Sequence, residues 1–252
     1  MIPDHVLTAF GSDSSVPPVS AGPAWDHGWV VGPLVYSEAT DTAHWSASVR
    51  TKLTVAGVRV ARPARSSDGR VVVGGWRASG HIAGELSLRI DETVAAALRL
   101  ADALAEVDGP VDLRRTDLFA EAEREAWARC DEEFGVIDAP LQVGHADMLA
   151  TTIYSGSAAP AVTDLVPFAQ PRPHAMTAAQ AIADALIIGA EGGVDTGVIE
   201  RFAHLPDLED LILRGLTYRE IVADRHPDEN SLTCSNIAAV RAALMSRRSA
   251  TI

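Results

Sequence analysis

Near residue 91 the chain changes character, and the change dictates a fold built of two unlike parts. Upstream, "WVVGPLVYS" (29–37) and "GRVVVGGWRAS" (69–79) carry the β-branched content and Gly/Pro punctuation of strands. Between them, "SEATDTAHWSASVRTKLTV" (37–55) sets Ala39, Ala43, Trp45, Val49 and Leu53 at roughly helical spacing, with Ser37 or Thr40 as its N-cap. "ARSSDGR" is a turn, with Asp68-Gly69 as the hairpin signal. Downstream the pattern is helical. "DETVAAALRLADALAEV" (91–107) opens on acidic residues and stops at Asp108-Gly109-Pro110; "DLFAEAEREAWARCDEEF" (117–134) has Asp117 in the cap position; "TAAQAIADALIIGA" (177–190) is stopped by Gly192-Gly193. The tail supplies two more helices. Between the second and third helices, "TTIYSG" and "PAVTDLV" read as short strands around a Ser-Gly turn. The expectation is an α+β protein: a β-rich part at 1–80 with a small antiparallel sheet, and a mainly helical part at 81–252. Ligand sites favour the junction of two such lobes.

Composition narrows the partners. A net charge of −13 with no compensating basic stripe argues against nucleic acid, whose phosphates need a positive surface. No uncharged apolar run reaches the roughly 18 residues of a membrane span, and the Met-Ile-Pro-Asp-His start lacks a signal-peptide pattern. Cys130 and Cys234 have no CxxC or Cys/His spacing and read as free core-filling thiols of a cytoplasmic protein. The eight histidines form no HxxxH or HExxH pair, which removes the usual zinc signatures. Lys52 is the single lysine, so any mechanism that needs one has only that candidate.

Chemistry concentrates in "GHADMLATTIYSGSAAPAVTDL" (144–165). Phosphoryl transfer needs an aspartate to orient or deprotonate the acceptor hydroxyl and oxygen ligands to hold Mg²⁺ against the phosphates. The kinase pattern is His-x-Asp, an amide side chain five residues later, and a further Asp after a short strand. His145-Ala146-Asp147 supplies the first element and Asp164 the last, with a hairpin-sized segment between them. The plainer reading has His145 and Asp147 capping a turn and Asp164 on the surface. Against it, Asp164 lies inside the apolar run Ala-Val-Thr-Asp-Leu-Val-Pro-Phe, where a buried carboxylate needs a partner or a cation.

This arrangement resembles the aminoglycoside phosphotransferase and choline kinase-like superfamily, whose motif runs His-Gly-Asp, Asn, then Ile-Asp-Phe/Trp. "VRVARPARSSDGRVVVGGWRASGHIAGE" is similar to the strand and hinge before the helical lobe of such proteins, and "LEDLILRGLTYREIVADRHP" to a late helical segment of uncharacterised kinase-like bacterial proteins. The similarity covers most of residues 5–247. It implies a two-lobed protein-kinase-like fold and transfer of phosphate from ATP, with Mg²⁺, to a hydroxyl of a small molecule. In that scheme Asp147 is the base, His145 buttresses its loop, and Asp164 binds metal, with Thr152 as the neutral ligand.

The pattern also departs from the family. The position five after Asp147 is Thr152 and not Asn, with Thr151 beside it. The strand lysine that holds nucleotide falls on Gly32 or Pro33, and "VSAGPAWDHG" keeps Gly22 and Gly28 without a phosphate-cradling glycine series. Charge for the nucleotide would come from Lys52, or from Arg50 or Arg77. Arg172 and His174 read either as contacts to an anionic substrate or as part of a Pro-rich surface loop; Trp25, Trp29 and Trp76 read as core, and "CDEEF" as a solvated face. Three readings stand: a diverged small-molecule phosphotransferase, a kinase-fold protein that has lost phosphotransfer and uses the cleft for ligand binding or other acid–base chemistry, and a regulatory partner with a vestigial cleft. The sequence sets neither the substrate nor the oligomeric state.

Overall fold

A computed structural model of the chain describes residues 1–110, 115–227 and 231–251. In chain order the first elements are α1 (Asp4–Ala9), β1 (Val19–Gly22), β2 (Gly28–Val31), β3 (Leu34–Glu38), α2 (Ala43–Lys52), β4 (Arg59–Val60), β5 (Val72–Val73), β6 (Trp76–Gly80) and β7 (Glu85–Leu86). There follow α3 (Ile90–Leu104), α4 (Leu118–Phe134), β8 (Leu141–Gln142), α5 (Met148–Thr151), β9 (Thr152–Tyr154), β10 (Ala161–Val162) and β11 (Arg172–Pro173). The last are α6 (Met176–Gly189), α7 (Gly197–Arg201), α8 (Leu208–Arg225) and α9 (Ser231–Thr251). They form two compact units. One consists chiefly of Met1–Ser87 with Ala150–Val166, the other of Leu88–Gly109, Arg114–Leu149 and Pro167–Ile252.

The first unit holds an antiparallel sheet in the order β1-β2-β3-β6-β5. Each expected strand is a hairpin. "WVVGPLVYS" breaks at Gly32, and "GRVVVGGWRAS" breaks at Gly74-Gly75, where both residues have positive φ as a two-residue turn requires. Residues 34–38 all pair with β6, and 34–36 also with β2, so Ser37 lies in β3 and the following helix begins only at Ala43, with Thr42 before it. The inward face of α2 also differs from the apolar stripe expected. Ala43, Ser46, Ala47 and Arg50 are buried, whereas Trp45 and Val49 are half-exposed. A second, four-stranded sheet runs β4-β10-β9-β7, with β10 parallel to β4, so "TTIYSG" and "PAVTDLV" do form a hairpin, which pairs into this unit. Two apolar clusters fill the unit: Val6, Leu7, Phe10, Val31, Tyr36 and Val73, and Trp25, Val35, Ala61, Ile153 and Ala161.

The second unit is helical. Sequence spacing placed α3, α4 and α6 to within a few residues, and Asp117 caps α4 by accepting from the Ala120 N–H at 3.0 Å. Every residue of α6 from Met176 to Ile187 is buried, the signature of a helix with no solvent face. It packs against α3, α8 and α9, and α4 packs on α8 through Ala122, Ala126, Ile221 and Val222. Two buried arginines brace this bundle. Arg214, fully inaccessible, bonds Asp131 at 2.6 Å and the Gly135 carbonyl at 2.7 Å, so the "CDEEF" run is not wholly a solvated face. Arg172 pairs with Glu123 at 2.6 Å and lies 4.0 Å over the Trp127 ring, which makes it a packing residue rather than a surface-loop one. Of the two thiols Cys130 is buried and Cys234 is exposed. No described helix is long and apolar enough to cross a membrane.

Candidate functional site

Asp164 follows β10 in the first unit, where a carboxylate would be costly if left alone. It is not alone. Its Oδ1 accepts from Ser46 Oγ at 2.5 Å and lies 3.2 Å from Arg50 Nε, and its Oδ2 accepts from Arg77 Nη1. The partners come from two elements: Ser46 and Arg50 from the inward face of α2, Arg77 from β6 opposite Ser37 of β3. Arg50 is held in turn. Its Nη1 donates to the Ala61 carbonyl at 2.7 Å, Ser79 Oγ at 3.2 Å and the Thr163 carbonyl at 3.2 Å. Burial pushes the Asp164 carboxyl upward, but Arg77, Arg50 and Ser46 outweigh it and hold its pKa below the ordinary value. Burial lowers the pKa of Arg50, whereas for Arg77 the two aspartates Asp164 and Asp26 overcome burial and raise it.

The loop between β1 and β2 completes this cluster. Residues Pro23–Trp25 form a 3₁₀ turn with the Trp25 side chain buried in the core beside Val35 and Ile153. The Ala24 carbonyl accepts from Thr163 Oγ1 at 2.6 Å and the Trp25 carbonyl from Ser37 Oγ at 3.0 Å. Asp26 and His27 then both adopt left-handed backbone, and the Asp26 carboxylate accepts from Arg77 Nη2. Gly22, at φ +76, opens the turn. The Asp26 and His27 N–H groups are spent within the turn, on the Pro23 and Gly22 carbonyls at 3.1 Å each, and so do not point at a phosphate.

Asp147 and His145 belong to the second unit. His145 is buried; its N–H donates to Thr177 Oγ1 at 2.9 Å, and it forms a β-bridge to Pro167. Asp147 lies 3.4 Å from Arg219 Nη2, and Arg219 is itself gripped by Asp184 through two bonds of 2.7 Å. Burial lowers the Arg219 pKa, but Asp184, Tyr218 and Asp147 raise it well above the ordinary value, so the cation beside Asp147 is permanent. Burial pushes the neighbouring Tyr218 phenol up to about 12. Of the other residues nominated from sequence, Thr152 is buried in β9 with a hydroxyl that has no hydrogen-bond partner, and Lys52 is exposed at the end of α2. The structure thus joins Arg77 and Arg50 to Asp164, and adds Ser46 and Asp26, which sequence reasoning missed.

The donor set does not fit the Mg²⁺ that the resemblance implies. That ion keeps near-octahedral oxygen coordination and is usually bound through carboxylates that can approach it. Both Asp164 oxygens are engaged by guanidinium groups, whose positive charges would repel a dication at the same carboxylate. Thr152 offers a neutral hydroxyl, and no group of three His, Cys, Asp or Glu side chains among the described residues could hold a metal.

No protein-family model matches the sequence, and no curated protein matches it significantly. Solved structures do match. An aminoglycoside phosphotransferase from Alicyclobacillus acidocaldarius superposes with a TM-score of 0.55 at 14% identity, over 99% of this chain and 94% of that one. A thermostable mutant of aminoglycoside phosphotransferase APH(4)-Ia in its apo form gives 0.52 at 15% identity, over 96% and 99%. Another mutant of that enzyme, in ternary complex with ADP and hygromycin B, gives 0.52 at 14% identity, over 95% and 98%. The chain has the two-lobed α+β fold of the aminoglycoside phosphotransferases, a protein-kinase-like fold, as its sequence resemblance implied.

Proposed function

We propose that this chain is a kinase-fold protein that has given up metal-dependent phosphoryl transfer and acts by binding a small-molecule ligand. The observation that carries the reading is the clamp of Arg50, Arg77 and Ser46 on Asp164. The residue that would bind the cation is instead the counter-charge of two buried arginines, which among the described residues contact no other carboxylate of equal burial. The missing strand lysine, the threonine at position 152 and a β1–β2 turn whose Asp26 and His27 N–H groups are bonded within the turn support the same reading. Fold alone does not supply the activity, since unrelated functions share one scaffold.

A second reading, transfer of phosphate from ATP to a hydroxyl, has one observation in its favour. Asp147 is partly exposed and held by an arginine that Asp184 fixes in place, as an oriented base would be. One experiment separates the two: calorimetric titration of ADP and ATP into the whole protein, in EDTA and with excess Mg²⁺. The proposal expects nucleotide affinity, where any is measured, to change less than about twofold with Mg²⁺, because a metal that no carboxylate holds adds no protein ligand. Saturable binding that requires Mg²⁺, and that disappears in Asp164→Asn, restores the phosphotransferase.

A further inference from the structure

Arg77 is a buried guanidinium with one solvent-facing partner. Its Nη1 is committed to Asp164 beneath it, and its Nη2 to Asp26, whose carboxylate is 59% exposed while Arg77 is only 10% exposed. The Nε of Arg77 is buried with no partner at all, so the donor capacity of this side chain is not exhausted. Asp26 reaches it from a corner in which two consecutive non-glycine residues, Asp26 and His27, adopt left-handed backbone. That conformation costs about 1 kcal/mol or more per residue. The frame on either side is fixed. Trp25 is locked in the core, and at Gly28 the backbone passes so close that an added Cβ would lie 2.3 Å from the Tyr36 carbonyl. The exposed Asp26 side chain is therefore free to leave without unpacking this frame.

Local charge sharpens the point. Without Asp26 the cluster holds Arg50 and Arg77 against Asp164 alone, and Arg62 stands next to it with its Nη1 on the Arg50 carbonyl. An acidic chain thus keeps a cationic focus under a single exposed carboxylate. A guanidinium edge offers two parallel donors, a geometry that suits carboxylate and phosphate oxygens equally. We infer that Asp26 is a built-in stand-in for an anionic ligand, and that a phosphate group binds Arg77 by displacing it.

The inference rests on the reading of Asp164 as a clamped, metal-free carboxylate, and its test tells the two apart. Inorganic phosphate and ADP are titrated, in EDTA and again with Mg²⁺, into the wild-type protein, Asp26→Asn and Asp26→Asn/Arg77→Lys. Asparagine tolerates left-handed backbone and nearly matches aspartate in shape, so Asp26→Asn removes the charge and leaves the loop. In EDTA this variant is expected to bind inorganic phosphate about tenfold or more tightly than wild type, because an attached competitor has lost its charge. The double variant keeps a cation but not the fork, and should lose most of that gain. If phosphate gains nothing and ADP alone gains, the site reads a nucleotide rather than a phosphate group. Equal affinity of wild type and Asp26→Asn for both probes overturns the inference and leaves a structural ion pair, whatever Mg²⁺ does. Should Asp26→Asn fail to fold, wild type and Arg77→Lys decide it: weak phosphate binding by wild type must be lost in Arg77→Lys. Phosphate binding absent from wild type, or unchanged in Arg77→Lys, again overturns the inference. A gain that appears only with Mg²⁺ would instead sink the metal-free reading.

Discussion

Taking the charge from Asp164 would strand two guanidinium groups in the interior of the first unit. Arg50 is 2% exposed and its other hydrogen bonds go to hydroxyls and carbonyls, and Arg77 would keep only the exposed Asp26. Removing one member of a buried pair costs more than the pair is worth, because the survivor stays desolvated; Asp164→Asn is expected to destabilise by about 3 kcal/mol in urea unfolding. Ser46→Ala removes a hydroxyl from the same carboxylate and should cost about 1 kcal/mol, the ordinary value of a hydrogen bond. Equal and small losses for both variants would show that the carboxylate is not the keystone described. The sequence did mark Asp164 as a residue needing a partner, since it stands in an apolar run. It did not name the partner, because Arg50 and Arg77 are distant along the chain and every charged pair looks alike at that range. The legible clue was Arg50 itself. It falls one turn after Ser46 and Ala47, on the face that turns inward, and a charge there demands a counter-charge.

Elements were legible in proportion to how local their causes are. Asp117 could be read as a cap because capping is settled within four residues, and Asp117→Ala should cost about 1 kcal/mol. The Gly74-Gly75 turn likewise carries its own signal, although it divides one expected strand into two. Gly28 carries none. Nothing near it in sequence reveals that its Cα lies against the backbone of β3, with the Tyr36 carbonyl 2.3 Å from where a Cβ would sit. Gly28→Ala must push β2 from β3 and is expected to cost about 3 kcal/mol, the upper end of the overpacking range. A thermal melt of both alanine variants is the check, with Gly28→Ala the larger loss. The start of α2 was misplaced for a related reason. Ser37 and Glu38 precede a helix in sequence but pair with Arg77 and Trp76 of β6 in space, and pairing overrides local spacing.

At the scale of the whole molecule, Arg50, Arg77, Arg172 and Arg214 are buried. Twenty-one basic residues include one lysine, and the arginines at 50, 77, 172, 214 and 219 each meet a carboxylate within their own unit. Fold class could be read from the shift in periodicity near residue 91; these long-range pairs could not. They make stability depend on acid in a definite direction. Asp164 in one unit, held down by Arg77 and Arg50 against the upward push of burial, and Asp117 in the other, held down by Arg115 and the Ala120 N–H against the same push, both have pKa values below the ordinary carboxylate range. A carboxylate whose folded pKa lies below its unfolded value of about 3.9 contributes stability that is complete above that pH and lost as the pH falls through the folded value. Wild-type stability to urea should therefore hold level from neutral pH down to about pH 5 and fall between roughly pH 4 and pH 2. Asp164→Asn has already lost the more buried of the two contributions, so it should start lower at neutral pH and fall less steeply. If wild type and Asp164→Asn fall in parallel below pH 4, the carboxylate of Asp164 is not carrying charge in the folded state, and the clamp on which the metal-free reading depends does not exist.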